Sequence, residues 1–178
     1  MTSSLAQSPL TFPVLGLAPL SGDAAAAATV LLELAAEQAR AATCLRGLCG
    51  SVVADVTGLV LGGGGNSLPG GCVPVTCRKA DGGLAPGFKS DRTCCTHAEV
   101  RAIVEALRTR DDLSDAAVYF TRVHPLTGAR VTSGRPYCTI CSKLALEVGL
   151  SHFVLEHDFG IVAYPADLYN DLSFTFGA

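Results

Sequence analysis

The sequence has no tryptophan and a single methionine, and aromatic residues make up only 6% of its 178 positions. Proteins that hold single-stranded nucleic acid combine a basic groove with aromatic stacking platforms. Few rings, a formal net charge of -3 and a pI of about 5.7 therefore argue against a polyanion as the main partner. No lysine or arginine precedes Arg40, so the basic n-region of a secretory leader is missing. The apolar run AAAAATVLLELAAEQA is broken by Glu33 and Glu37 before it reaches membrane-spanning length. Together these lacks predict a cytoplasmic protein with no membrane partner.

What is plentiful points elsewhere. Hydrophobic residues are 49% of the chain, enough for one sizeable core and hardly two. There are eight cysteines, and in a reducing compartment they read as thiols or metal ligands rather than disulfides. Ten of the thirteen lysines and arginines lie between Arg78 and Arg135. That clustering leaves room for a phosphate-bearing substrate near the middle of the chain.

Residues 1–22 are Ser-, Pro- and Leu-rich without a clear period and are expected to form an N-terminal arm, with a single domain over 23–178. Ser21 or Asp23 caps a first helix running to about Leu45, with Ala28, Leu31, Leu32 and Ala35 on its apolar stripe. SVVADV and LVLGG read as a hairpin across a Thr57–Gly58 turn. The glycines that follow allow a close backbone approach or a flexible loop. Residues 66–96 form a long connection rich in Gly, Pro and Cys. A second helix spans about Ala98 to Arg110, its buried stripe predicted at Val100, Ile103, Val104 and Leu107. AAVYFTRV is a strand with little alternation, as expected when both faces are covered. A third helix from about Cys138 to Val148 carries a stripe of Cys141, Leu144, Ala145 and Val148. HFVLEHD is another strand, GIVAY a candidate fifth, and a short helix follows. This order predicts an α/β fold, a three-layer α/β/α sandwich around a mixed central sheet of about five strands.

Four positions carry the chemistry: His97, Glu99, Cys138 and Cys141. The last two form CTIC at a helix start, where residues three apart share a face and free N–H groups favour thiolates. Two thiolates and an imidazole suit zinc, and a fourth position left to water marks a catalytic site. His97 and Glu99 would diverge by about 200° in mid-helix. At a first turn, side-chain bonds tilt toward the helix N-terminus, and both can flank a point beyond it. Histidine is the better zinc ligand there, and glutamate the better proton shuttle. Taken singly, each residue has a plainer reading. CTIC could be a redox pair or two core cysteines, His97 a helix cap, and Glu99 a partner of the helix dipole. The conjunction on two helix starts separated by one strand favours the metal.

His97-Ala98-Glu99 with Pro136-Tyr137-Cys138-Thr139-Ile140-Cys141 resembles the H-x-E … P-C-x-x-C signature of the zinc-dependent cytidine deaminase superfamily. HAEVRAI is similar to the corresponding stretch of deoxycytidylate, guanine and tRNA-adenosine deaminases. Here a tyrosine stands between the proline and the first cysteine, a departure that bears on the loop's shape. The resemblance implies a cytidine deaminase-like fold and a zinc held by His97, Cys138 and Cys141. It further implies a zinc-bound hydroxide adding to the amino-bearing ring carbon of a cytosine-type nucleoside or nucleotide, with Glu99 shuttling protons and ammonia released. It gives substrate contacts to Asn66, to the backbone of Ala98 and, as a stacking surface, to Tyr137, and it implies a homo-oligomer, dimer or tetramer. The alternatives are a base in DNA or RNA, guanine or adenine as the substrate, and a non-catalytic zinc-stabilised module of the same fold.

Two further groups stand out. Cys72, Cys77, Cys94 and Cys95 crowd the connection before His97 and are candidates for a second, structural zinc. Cys44 and Cys49 read as buried, apolar-like residues. Arg122, His124, Arg130 and Arg135 precede Cys138 and are expected to rim the pocket, where they would either bind phosphate or a nucleic-acid backbone or form a solvated basic loop. The stretch YPADLYNDLSFTF is expected to make an oligomer contact or to cover the protein's own pocket.

Overall fold

The hairpin is where the sequence puts it. Strand β1 (Leu48–Ala54) and β2 (Val60–Gly65) pair antiparallel, with a bulge between Val53 and Ala54. The turn between them is fixed by Asp55, whose Oδ1 accepts from Thr57 N, Thr57 Oγ1 and Leu59 N, while Gly58 supplies a φ of 84°. A computed structural model gives these coordinates and describes residues 13–14, 16–72, 76–77 and 94–175. Most of the predicted arm and much of the 66–96 connection therefore lie outside the described residues.

Four more strands complete the sheet: β3 (Ala117–Val123), β4 (Arg130–Val131), β5 (His152–His157) and β6 (Gly160–Pro165). The order is β2-β1-β3-β5-β6, with the two-residue β4 paired to β3. Among the described residues only the β3–β5 pair is parallel, and the helix between those strands supplies the crossover a parallel pair requires. The sheet is mixed, as expected, and has six strands rather than five.

Alternation along the strands assigns the layers. Helix α1 (Gly22–Arg40) covers one face, with Leu31 and Ala35 against Val52 and Ala54, and Ala28 and Leu32 against Val154 and Ile161. On the other face lie α2 (Ala98–Thr109), α3 (Thr139–Glu147) and α4 (Ala166–Phe174), packed on Val53, Val118, Phe120, Phe153, Leu155, Val162 and Tyr164. This is the three-layer α/β/α sandwich. Val14, Leu17 and Leu20 of the N-terminal segment pack on these clusters, and Leu20 N donates to Ile161 O at 2.7 Å. Among the described residues, no helix is long and apolar enough to cross a membrane.

Two expectations change. Helix α1 stops at Arg40 rather than near Leu45, because the chain must turn to enter β1 at Leu48. Arg40 marks that stop, donating to Gly128 O at 3.0 Å and to Glu33 at 2.7 Å. The buried stripe of α2 is Ala98, Glu99, Ala102, Ile103 and Ala106. Of the predicted stripe only Ile103 is buried; Val104 and Leu107 are 43% and 36% exposed. The cause is in β2. A Cβ on Gly62 would fall on backbone atoms of Ala102 and Ala106, and one on Gly50 would fall on those of Ala35 and Ala39. Glycine strands and alanine helix faces meet at backbone distance, and the bulky side of α2 is turned outward.

That contact has a measurable consequence. Gly62→Ala drives a methyl group into main chain that cannot yield, an overpacking cost of about 1–3 kcal/mol. Gly134→Ala, where nothing lies within 4 Å, is expected to be near neutral. Urea denaturation of the two variants checks the difference.

Candidate active site

Two helix starts face each other on the α2–α4 side of the sheet. His97 is the extended residue that precedes α2, and Cys138 is the extended residue that precedes α3. Both N-termini carry backbone N–H groups without intrahelical partners and the positive end of the dipole. Cys138 meets part of that demand itself, its sulfur accepting from Cys141 N at 3.4 Å. His97 Nδ1 lies 3.2 Å from both sulfurs, and the two sulfurs are 3.2 Å apart. Among the described residues this is the one group of three or more His, Cys, Asp or Glu ligands close enough to hold an ion.

The donor set fits zinc. Two thiolates and an imidazole, with a fourth position left to water, are the make-up of a catalytic tetrahedral site. Bonds of about 2.0–2.3 Å to such an ion separate its ligands by roughly 3.4–3.8 Å, a small opening of the triangle seen here. The two cysteines titrate as a pair. Cys138 is held well below the ordinary thiol range, chiefly by the hydrogen bond from Cys141, while Cys141 is pushed up by keeping the shared proton. His97 also lowers Cys138.

Glu99 sits beside this triangle and is 5% exposed. Burial raises its pKa first and the neighbouring Cys138 charge second, against a lowering by His97. Its carboxylate shares a hydrogen bond with Cys141. Among the described residues no lysine or arginine pairs with it. A carboxyl kept out of water without a cationic partner favours its protonated form, the state a proton shuttle must be able to reach.

His97 and Glu99 open onto a cavity of about 330 Å³ whose wall includes Arg46, Cys49, Asn66, Phe120, Arg122 and Tyr137. Cys49 stands opposite Arg122 in the β1–β3 register, so the cavity lies over the start of β1 and the end of β3. Burial pushes the Cys49 thiol up to about 12, so it stays neutral. Asn66 is on the wall, and its carboxamide ties the strands together: Oδ1 accepts from Cys49 N at 2.9 Å and Nδ2 donates to Gly47 O at 2.9 Å. Tyr137 is 48% exposed at the mouth. Ala98 is fully buried and does not line the cavity. A neighbouring hollow of about 290 Å³ shares Phe120, Arg122 and Tyr137 and adds Arg135. A separate groove of about 510 Å³ between the end of α1 and α2 contains none of His97, Cys138 and Cys141.

The basic connection only partly rims the pocket. Arg122 does, and Arg135 lines only the neighbouring hollow. Arg130 instead pairs with Glu33 and Glu156 on the far side, and the His124 ring accepts backbone N–H groups of its own turn. The set proposed for a second zinc does not assemble. Cys72 is exposed, and Cys77 and Cys94 meet at 3.8 Å, while Cys95 hydrogen-bonds Cys44. The sequence carries no strand signal for where Cys72 ends up, because the intervening connection has no periodicity. In the C-terminal stretch, Tyr164 and Tyr169 are buried in the core and Tyr169 lines the second hollow, which fits the covering role; Phe174 is 64% exposed.

Sequence reasoning missed two features. Arg46 lies in the turn before β1 and carried no motif. Behind α3, Ser142 Oγ donates to Asn170 Oδ1 at 2.9 Å, and Ser173 Oγ donates to Asn170 O at 2.6 Å. Both serines are buried, so α3 is tied to α4 directly behind Cys141.

No protein-family model matches the sequence, and no curated protein matches it. Solved structures do. A dCMP deaminase from the cyanophage S-TIM5, in complex with dCMP and dUMP, is 21% identical, covering 70% of this chain and 76% of that one, with a TM-score of 0.50. A cytidine deaminase from Burkholderia pseudomallei is 17% identical over 79% of this chain and 94% of that one, with a TM-score of 0.52. The fold is thus cytidine deaminase-like.

The serine tie yields a prediction. Ser142→Ala leaves the three ligands in place but strands Asn170 Oδ1, at a cost of about 1–3 kcal/mol. Chemical denaturation measures the loss.

Proposed function

We propose that this chain is a zinc-dependent hydrolytic deaminase of a cytosine-type nucleotide or nucleoside. The observation that carries the reading is the convergence of His97 Nδ1 with the Cys138 and Cys141 sulfurs at 3.2 Å beside a buried carboxyl, Glu99, at a cavity. The fold shared with a dCMP deaminase and a cytidine deaminase supports it.

In this reading His97, Cys138 and Cys141 hold the zinc. Bound there, the metal supplies a water nucleophile that is deprotonated near neutral pH. Glu99 accepts the proton of the attacking water and delivers it to the ring nitrogen next to the amino-bearing carbon. Once carbon is tetrahedral, Glu99 takes the remaining proton of the added hydroxyl to the amine; the C–N bond breaks, the C=O bond forms, and ammonia leaves. The raised pKa of Glu99 suits both halves of this exchange, because the group must take and give a proton at similar pH. Phe120 and Tyr137 flank the base, Asn66 contacts the substrate beside it, and the cavity walls limit competing water.

Arg46 and Arg122 on the same wall, with Arg135 in the adjoining hollow, favour a substrate that carries phosphate. A nucleotide is therefore preferred to a nucleoside. The resemblance to the deaminase superfamily leads us to expect a dimer or tetramer as well.

Ammonia release by zinc-loaded protein across nucleosides and their monophosphates tests the reading. Turnover of a cytosine monophosphate is expected, lost by at least about 100-fold in Glu99→Gln with zinc retained. Chelation should abolish it and added zinc restore it. Turnover of an oligonucleotide alone would move the activity to nucleic acid, and silence on every base with zinc bound would sink the enzyme reading. Arg122→Ala is expected to raise KM for the monophosphate by about 10- to 100-fold, the worth of one charge-assisted contact, and to leave the nucleoside nearly unchanged.

A further inference from the structure

Five cysteines besides the proposed ligands line the same cavity: Cys44, Cys49, Cys77, Cys94 and Cys95. They are not equivalent. Cys49 is built into β1, and Cys95 is engaged by Cys44. Cys77 and Cys94 remain as a second pair, their sulfurs 3.8 Å apart. The two residues sit at either end of the 78–93 segment, on backbone that belongs to neither a strand nor a helix.

We propose that Cys77 and Cys94 form an oxidisable dithiol, a modification site on the wall of the cavity that a peroxide-class oxidant converts to a disulfide. The sulfurs already touch, so bonding needs side-chain rotation and small movement of irregular backbone rather than rearrangement of the sheet. Cys77 is buried and Cys94 half-buried, yet both border the cavity. A small oxidant reaches them through it, and a bulky one does not.

The chemistry balances with hydrogen peroxide as the oxidant. One thiolate attacks a peroxide oxygen; the O–O bond breaks, the sulfur becomes a sulfenic acid, and the other oxygen leaves as water after taking a proton. The second thiolate attacks the sulfenyl sulfur; the S–S bond forms, the S–O bond breaks, and a second water leaves. Each sulfur loses one electron, and the peroxide gains two. A low-molecular-weight dithiol reverses the step by exchange. The product ties Cys77 to a point three residues before His97. The cross-link stands or falls independently of the deaminase reading, since its readout is the bond itself.

The test uses the full zinc-loaded chain, treated with hydrogen peroxide, alkylated, digested and analysed by mass spectrometry. A Cys77–Cys94 linked peptide pair is expected, formed with peroxide and removed by dithiothreitol. It should vanish in Cys77→Ser and in Cys94→Ser and persist in Cys44→Ser. Peroxide that leaves both thiols open to alkylation overturns the proposal. So does a bond from Cys94 to Cys44 or Cys95 instead, or zinc bound to these thiols that blocks their alkylation before any oxidant is added.

Discussion

How near α2 can come to the sheet decides where the site can be. Gly62 and Gly64 present no side chain toward Ala102 and Arg101, so the helix settles at backbone distance and Ala98, Ala102 and Ala106 become fully buried. That descent carries the helix N-terminus, with His97 and Glu99, down beside the edge of β1. A larger residue at either glycine would lift the helix and the two chemical groups together. The α3 side is fixed differently, by the crossover from β3 to β5 and by the Ser142–Asn170–Ser173 tie to α4. His97, Cys138 and Cys141 therefore meet through two separate packing arrangements, one on each helix.

The site so assembled is electrostatically unfinished by protein alone. A buried carboxyl and a thiol pair that readily loses one proton crowd together with one imidazole against them. Burying like charges without compensation is costly, and Arg46 and Arg122 lie on the cavity wall while, among the described residues, no arginine forms an ion pair with Glu99. A divalent cation held by His97, Cys138 and Cys141 would resolve the conflict by favouring both sulfurs as thiolates.

Much of this was legible in the sequence, for identifiable reasons. The 3.6 and 2.0 periods located the elements, because strands covered on both faces must be apolar throughout and helices must bury one stripe. The pairing of His97-x-Glu99 with Cys138-x-x-Cys141 was legible because short-range spacing at a helix start fixes geometry locally. The α2 stripe was misread because bulk was taken as the mark of burial. Here the partner strand is glycine, and what fits against it is alanine. The split among the basic residues was not legible either. Arg122 faces the cavity while Arg130 turns to Glu33 and Glu156, and that choice is made by partners far away in sequence.

The distinction between a catalytic and a merely structural metal site turns on Glu99. A structural zinc is closed by four protein ligands, and its surroundings need no further acid or base. This triangle has three, and the fourth direction is flanked by a carboxyl that burial has made ready to hold a proton. Burying that carboxyl costs stability that a purely structural role would never recover. An apolar residue at the same turn would carry no such cost. The chain instead keeps glutamate there, at a cavity whose wall bears two arginines. That arrangement is what the proposed deamination would use, a carboxyl exchanging a proton beside an anionic substrate.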